Sequence, residues 1–236
     1  MAPIISSIVY GEQAESWEYW FVKSIKKVMP AAIYNRITPN FAVINKRLSR
    51  NPGYETKMVS VSYSSYTKIV LPTLLGGNEA HRQPVWMMDC DLLVLRPLVW
   101  KPYNKNTVIA MAKGGDKKYL EFLKKAEVPV LKDITFNAGV IWGYENFTKI
   151  WKKWYNNVYD VIENTSYSIG ETMWNAIWHD LNNQGKAEIL PQGYNQIITE
   201  HGPFNATVFH LAGTPHQFRK ELMKSYFKYF FGEYNE

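Results

Sequence analysis

The stretch at residues 84–98, PVWMMDCDLLVLRPL, places two acidic residues, Asp89 and Asp91, inside an apolar run. The segments VWMM and LLVL on either side of them have the composition of buried strands. Charged side chains are rarely buried without a partner. In a continuous strand, residues two apart project from the same face, so both carboxylates would point together and Cys90 would point away. The stretch therefore predicts a strand that carries a carboxylate pair.

The carboxylate pair indicates either a cation site or a turn. Two carboxylates this close repel each other, and a hard divalent ion with oxygen ligands removes that repulsion. In open α/β sheets, ligands bind beyond the ends of strands, and Pro97 predicts such an end shortly after the pair. The alternative is that Asp89 and Asp91 cap backbone amides of a turn, because Asp-x-Asp also occurs often by chance. The apolar segments on both sides add support for the metal, but the residues alone leave both the metal and the turn open.

Strand-like and helix-like segments alternate along the rest of the chain, which is typical of an α/β fold with a mostly parallel sheet flanked by helices. At 236 residues, one domain with a single large core is the simplest organisation. The strand-like segments are PIISSIVYG, NFAVIN, TKMVSVSY, TVIAMAK, ITFNAGVIWG, AEILPQGYNQIIT and ATVFHLAG. The helix-like segments are SWEYWFVKSIKKVMP, SSYTKIVLPTLLGG, KKYLEFLKKA, NFTKIWKKWYNNVYDVIEN, GETMWNAIWHDLNNQG and QFRKELMKSYFKYFFGEYNE.

Composition limits the classes of partner and compartment. The net charge of +6 is modest and spread over several helices, so a nucleic-acid partner is not expected. Cys90 is the single cysteine, which excludes an intrachain disulfide and favours a reducing compartment. The sequence contains no apolar run of about 18 residues, the length that would predict a transmembrane helix. The N-terminus has no signal-peptide pattern. We therefore expect a soluble, cytoplasmic protein.

Seven motifs follow one another along the chain: IVYG at 8–11, YTK at 66–68, DCD at 89–91, FNAGVIW at 136–142, GETMWNAIW at 170–178, LPQGYN at 190–195 and HLAG at 210–213. Their order resembles that of GT-A fold glycosyltransferases, and among them the retaining, family-8-type enzymes related to glycogenin and to lipopolysaccharide galactosyltransferases. The resemblance extends to about Phe218. In its small size the chain is also similar to the compact GT-A enzymes with which chloroviruses build capsid glycans, which would place it in the host cytoplasm.

The resemblance implies a metal site made of Asp89, Asp91 and His210, holding Mn²⁺ or Mg²⁺, with Asp89 also near the ribose of the donor. Carboxylates and a neutral imidazole both suit Mn²⁺. Taken alone, His210 would more often be a structural residue with its hydrogen bonds satisfied. The metal site is therefore an expectation that depends on the order of the motifs.

The resemblance also implies a donor-binding set for a UDP-sugar. Its predicted contacts are Tyr10 and Gly11 to the uridine, Lys68 to the diphosphate, Asn137, Ala138 and Gly139 to the sugar, and Gly213 and His216 near the phosphates. Without the resemblance, Lys68 would be a solvated helix residue, Tyr10 a core residue, and the Asn-Ala-Gly segment an ordinary turn.

Two positions depart from the family pattern. Glu171 and Thr172 stand where the family has Asp-Gln, so the amide near the anomeric carbon is missing, and Glu171 becomes the candidate for orienting or stabilising the sugar. His216 stands where the family has a lysine, and it is a weaker, pH-dependent partner for phosphate. Both changes affect the identity of the donor.

We expect a metal-dependent transfer of a sugar from a UDP-sugar to a hydroxyl of a glycan or glycoprotein, with retention of the anomeric configuration. The domain would cover residues 1–218, with 219–236 an amphipathic helix that packs on it or leads to a further domain. Glucose, galactose, xylose and rhamnose remain open as donor sugars. The alternatives are a metal-dependent phosphohydrolase, whose Asp-x-Asp usually lies near the N-terminus and precedes Gly-Thr, and a non-enzymatic module that binds carbohydrate or nucleic acid.

Overall fold

The protein is described by a computed structural model that covers residues 2–9, 11–37, 84–143, 147–198 and 205–232. The main sheet contains β1 (Ile4–Ile8), β2 (Ile33–Ile37), β3 (Val85–Met88), β5 (Ile109–Lys113), β6 (Phe136–Gly143) and β7 (Ala187–Leu190). A second, smaller sheet contains β4 (Leu92–Val94), β8 (Gln196–Ile197) and β9 (Val208–His210). The helices are α1 (Gly11–Val28), α2 (Lys118–Lys125), α3 (Thr148–Ile162), α4 (Ile169–Asn183) and α5 (His216–Phe231), and a short 3₁₀ helix spans Gln192–Asn195.

The main sheet has the strand order β2-β1-β3-β6-β5-β7. β1 pairs in parallel with β2 and β3, and β5 pairs in parallel with β7, whereas β6 is antiparallel to both β3 and β5. Among the described strands, β6 therefore runs against the other five, and the predicted mostly parallel α/β sheet is confirmed. Because of this reversal, β6 begins at the edge of the sheet where β3 and β5 end.

Helices and the second sheet cover the two faces of the main sheet. On β3, Val85 and Met87 pack into a cluster with residues of α2, α3 and α4, whereas Trp86 and Met88 pack into a cluster with residues of α1, α5 and the second sheet. All four of these β3 residues are buried. A strand that is covered on both faces has no polar alternation, which explains why this part of the sequence is continuously apolar.

The stretch at 84–98 does not form one strand, so the prediction that strand alternation aligns Asp89 with Asp91 is wrong. β3 ends at Met88, and β4 begins at Leu92 in the other sheet. The N–H of Asp89 still donates to the carbonyl oxygen of Gly139 on β6, at 2.9 Å, while the carbonyl oxygen of Asp91 accepts from the N–H of Leu211, at 3.2 Å. The Asp-Cys-Asp segment is therefore the bend by which the chain passes from one sheet to the other.

The C-terminal helix α5 packs against α1 and buries Met223 and Phe227. It begins at His216, and its last turn is followed by Gly232, whose φ of +71° suits a glycine C-cap. The predicted segments NFAVIN, TKMVSVSY and SSYTKIVLPTLLGG lie outside the described residues, and β2 was not predicted. Within the described ranges, every helix is too short or too polar to cross a membrane.

Candidate metal and donor site

Asp89, Asp91 and His210 form a group of three possible metal ligands, as the motif order predicted. One nitrogen or oxygen atom of each lies within 4.8 Å of the others. The Nε2 atom of His210 is 3.4 Å from Oδ1 of Asp91 and 4.0 Å from Oδ2 of Asp89. Asp91 and His210 are buried, whereas the side chain of Asp89 is 37% exposed. Two carboxylates and an imidazole in this arrangement fit a divalent cation that is reached from solvent on the Asp89 side.

The pairing of β4 with β9 brings the histidine to the aspartates. His210 lies opposite Leu92 in this antiparallel pair, so Asp91, which immediately precedes Leu92, lies beside the imidazole. Asp89 reaches the same place from the end of β3 in the main sheet. The ligands thus come from two sheets, and the register of a three-residue strand determines whether they meet.

Asn195 fixes the orientation of the His210 ring. Its Oδ1 atom is 2.9 Å from Nδ1 of His210, and its Nδ2 atom donates to the Oδ1 and carbonyl oxygens of Asn137, at 3.0 and 3.2 Å. An amide oxygen can only accept, so Nδ1 of the imidazole carries a proton and donates it to this bond. Nε2 is consequently the atom that faces Asp91 and can bind a cation.

The charges of the site keep Asp91 ionised and favour a positive charge on His210. Burial by itself would raise the pKa of Asp91, but His210 and Arg219 outweigh burial and lower it to about 2. Burial by itself would lower the pKa of His210, but Asp91 and, more weakly, Asp89 and Glu171 raise it. The carboxylates therefore favour binding of a proton at Nε2, and a divalent cation would compete with that proton for the same atom.

Position 139 in β6 accommodates only glycine, because it has no room for a Cβ atom. A Cβ atom there would lie 2.6 Å from Nδ1 of His210 and 2.9 Å from Oδ1 of Asn137. The N–H of Gly139 also donates to Oδ1 of Asn137, at 2.9 Å. The Phe-Asn-Ala-Gly segment, which the family resemblance linked to the donor sugar, therefore also supports the histidine through Asn137 and Asn195.

Arg219 on α5 is part of the site and was missed by the sequence analysis, because the resemblance ended at about Phe218. Its Nη1 atom donates to Oδ2 of Asp91, at 2.6 Å. Its Nε atom donates to the carbonyl oxygen of Thr214, at 3.0 Å, and its guanidinium lies over the ring of Trp17, 5.2 Å from the centroid. The spacing of Arg219 one turn after His216 was the available signal, since residues three apart share a helix face.

Glu171 lies in the first turn of α4, where the side chain of Ser168 accepts a hydrogen bond from its N–H. It is close enough to contribute to the raised pKa values of both His210 and Tyr119. The buried side chain of Asn175 ties this turn to the beginning of β6: it accepts from the N–H of Phe136, at 2.8 Å, and donates to the carbonyl oxygens of Phe136 and Glu171, each at 2.9 Å. Asn175 was also missed, although it is visible in the GETMWN motif.

The other predicted site residues have varied positions. Tyr10 and Lys68 lie outside the described residues, Gly11 begins α1, and Ala138 is half-buried on β6. Gly213 has φ of +82° in a turn in which the N–H of Thr214 donates to the carbonyl oxygen of Leu211. His216 is exposed and contacts Trp17 edge-on, with ring centroids 5.4 Å apart. The donor-contact roles of these residues stay predictions.

No protein-family model matches the sequence, and no curated protein matches it. Solved structures do match. The galactosyltransferase LgtC, in complex with donor and acceptor sugar analogs, is 15% identical, with 94% of this chain and 95% of that chain covered and a TM-score of 0.60.

Two further glycosyltransferases have similar structures. One is involved in glycosylation of the major capsid of PBCV-1; it is 14% identical, with 94% of this chain and 100% of that chain covered and a TM-score of 0.55. The other, mouse xyloside xylosyltransferase 1, is 11% identical, with 91% of this chain and 99% of that chain covered and a TM-score of 0.59. At these identities the likeness is one of fold. The chain has the GT-A fold of these glycosyltransferases, as the order of its motifs predicted.

Proposed function

We propose that the protein is a glycosyltransferase that moves a sugar from a UDP-sugar to a hydroxyl group of a glycan, with a divalent cation held by Asp89, Asp91 and His210. The observation that carries this proposal is the group of two carboxylates and an oriented imidazole nitrogen at the edge of a GT-A sheet. This edge holds the ends of β3 and β5 and the beginning of β6, where open α/β sheets bind their ligands.

The donor set fits Mn²⁺, or Mg²⁺, because it combines carboxylate oxygens with one imidazole nitrogen. When bound, such an ion neutralises the negative charge that develops on the departing diphosphate, an effect on the order of several kcal/mol. Asp91 would remain ionised at any working pH, since its pKa is about 2. Asn195 would keep Nε2 of His210 directed at the ion.

In the proposed reaction, the bond between the anomeric carbon and the diphosphate oxygen breaks, and the acceptor oxygen bonds to the same face of that carbon. The acceptor hydroxyl proton passes to the departing phosphate oxygen, so no protein nucleophile is needed. Glu171 would orient or stabilise the sugar, because the Asn175 bridge holds its turn against the beginning of β6. Retention follows from the family resemblance, whereas the role of Glu171 follows from its position where the family has Asp-Gln and from the contact of its turn with β6.

The direct test is a screen of UDP-sugars for hydrolysis or transfer with Mn²⁺, measured as release of UDP. We expect release with at least one of UDP-glucose, UDP-galactose, UDP-xylose and UDP-rhamnose, and loss of release on addition of EDTA. Asp89→Asn is the preferred variant, because this side chain is partly exposed and the change should leave the fold intact.

Two results would contradict the proposal. Undiminished UDP release by Asp89→Asn, or by the wild-type protein in EDTA, would remove the metal from the mechanism. Release of inorganic phosphate from phosphate monoesters, with no UDP release from any UDP-sugar, would instead favour the phosphohydrolase alternative. Thermal unfolding of the variant is the control for folding.

A further inference from the structure

We infer that Arg219 is a diphosphate-binding residue: a fixed positive charge beside the metal group that contacts the phosphates of the donor. The inference rests on the proposed function and adds to it a residue that neither the motif order nor the structural comparisons assign. The motif order placed a phosphate partner at His216, one helical turn earlier on the same helix. Both side chains contact Trp17, but Arg219 is the one bonded to a predicted metal ligand.

Arg219 is held in place by contacts that do not depend on Asp91. Its Nε atom is bonded to the carbonyl oxygen of Thr214, and its guanidinium lies over Trp17. The side chain is only 13% exposed. A guanidinium that is anchored through its Nε atom and its face keeps its position when one of its other partners binds a second ligand.

Asp91 can serve Arg219 and a metal ion together. Its Oδ2 atom accepts from Arg219, at 2.6 Å, whereas its Oδ1 atom is the one near His210, at 3.4 Å. A cation bound between Oδ1 and the imidazole therefore leaves the bond to Arg219 in place. The Asp91 oxygen that would help to hold a cation is thus a different atom from the one that accepts the bond from Arg219.

The charges then favour an anionic ligand. Asp89 and Asp91 together neutralise a divalent cation when His210 is neutral, and Arg219 adds one positive charge next to them. Within the part of the chain that the structure describes, the hydrogen bonds of Arg219 use two of its five N–H groups. The remaining N–H groups suit phosphate oxygens, which guanidinium groups bind with two parallel hydrogen bonds.

A purely structural role for Arg219, as a clamp that positions Asp91, predicts a different result. If Arg219 only positions Asp91, its removal weakens binding of Mn²⁺ alone. If Arg219 binds phosphate, its removal takes away a positive charge that repels Mn²⁺, so binding of Mn²⁺ alone stays equal or becomes tighter, while binding of a diphosphate becomes weaker. The two roles thus differ in the direction of the effect on Mn²⁺.

The test uses Arg219→Gln, with Lys220→Gln as the matched control, because Lys220 carries the same charge on the same helix but is exposed. Binding of Mn²⁺ alone is measured by electron paramagnetic resonance, and binding of UDP and of inorganic pyrophosphate is measured by calorimetry at saturating Mn²⁺. For Arg219→Gln we expect diphosphate affinity to fall about 10- to 100-fold, with Mn²⁺ binding undiminished. For Lys220→Gln we expect changes within about twofold.

Arg219→Lys is a second variant in case the glutamine variant unfolds, since it keeps the charge and loses the planar fork; we expect an intermediate loss of diphosphate affinity. Wild-type UDP affinity in Arg219→Gln, or weakened binding of Mn²⁺ alone, would overturn the inference and leave the proposed function standing. Failure of the wild-type protein to bind UDP with Mn²⁺ would refute the proposed function and this inference with it.

Discussion

Replacing Asn195 with leucine is expected to weaken Mn²⁺ binding by about 10- to 100-fold, the usual effect of removing the residue that orients a metal-binding histidine. Leucine has a similar volume but cannot accept the bond from Nδ1 of His210 or donate to the oxygens of Asn137. The loss corresponds to about 1.4–2.8 kcal/mol of binding free energy.

The same change also affects stability. Oδ1 of Asn137 keeps its bond from the N–H of Gly139, so the main uncompensated group is the buried Nδ1 of His210. One buried donor without a partner costs about 1–3 kcal/mol. We therefore expect Asn195→Leu to fold, with a lower unfolding temperature, and to show its larger defect in metal binding.

Asn195→Asp is the matched control for this experiment. Its carboxylate can still accept from Nδ1 of His210 but cannot donate to Asn137, so stability should fall while most of the Mn²⁺ affinity remains. Mn²⁺ binding is measured by electron paramagnetic resonance, and stability by thermal unfolding in EDTA. Wild-type Mn²⁺ affinity in Asn195→Leu, or an equal loss in the two variants, would refute the reasoning that this hydrogen bond sets the orientation of the imidazole.

Three other changes test different contacts. Gly139→Ala places a Cβ atom 2.6 Å from Nδ1 of His210, so we expect about 1–3 kcal/mol of lost stability in denaturant unfolding together with weaker Mn²⁺ binding; normal values of both would contradict the packing argument. Asn175→Leu removes the hydrogen bonds that the Asn175 side chain makes to the N–H and carbonyl groups of Phe136, so calorimetry should show a free energy of unfolding lower by about 1–3 kcal/mol. Burial lowers the pKa of His179 below its ordinary 6.5, so its contribution to stability is complete above that pH and is lost as the pH falls. Unfolding free energies between about pH 7 and pH 5 should therefore decline more steeply for wild type than for His179→Gln, and equal slopes would refute this.

The sequence predicted the fold class because local signals agreed with tertiary structure over most of the described chain. The apolar segments at 85–88 and 92–94 both form strands. The sequence could not predict that these two strands belong to different sheets. A segment that is buried on both faces shows no polar–apolar alternation, so its pattern does not reveal where the chain leaves one sheet for another. The same limit made the bend at Asp89 and Asp91 look like continuous strand.

The candidate site was predicted in part. Asp89 and Asp91 are neighbours in sequence, and His210 was joined to them through the resemblance, because no local pattern links residues so far apart. Asn195 lay inside a quoted motif, but its hydrogen bond to His210 depends on how β8 and β9 pair. Arg219 was predicted only as part of an amphipathic helix, where an arginine usually faces solvent. Its contact with Asp91 depends on how α5 packs against α1.

The bend between the two sheets has a mechanical consequence. Asp89 is bonded through its backbone to β6 of the main sheet, whereas Asp91 is bonded through its carbonyl oxygen to Leu211, just after β9, and His210 lies in β9 of the smaller sheet. An ion held by all three residues would therefore link the two sheets. An ion at one hundred times its dissociation constant adds about 2.7 kcal/mol to stability, and here it would oppose any opening that separates Asp89 from Asp91 and His210. The amide hydrogens of β4 and β9 would then exchange with solvent more slowly in the ion-bound protein than in the ion-free protein. Binding of the ion would thus make the junction between the two sheets more rigid.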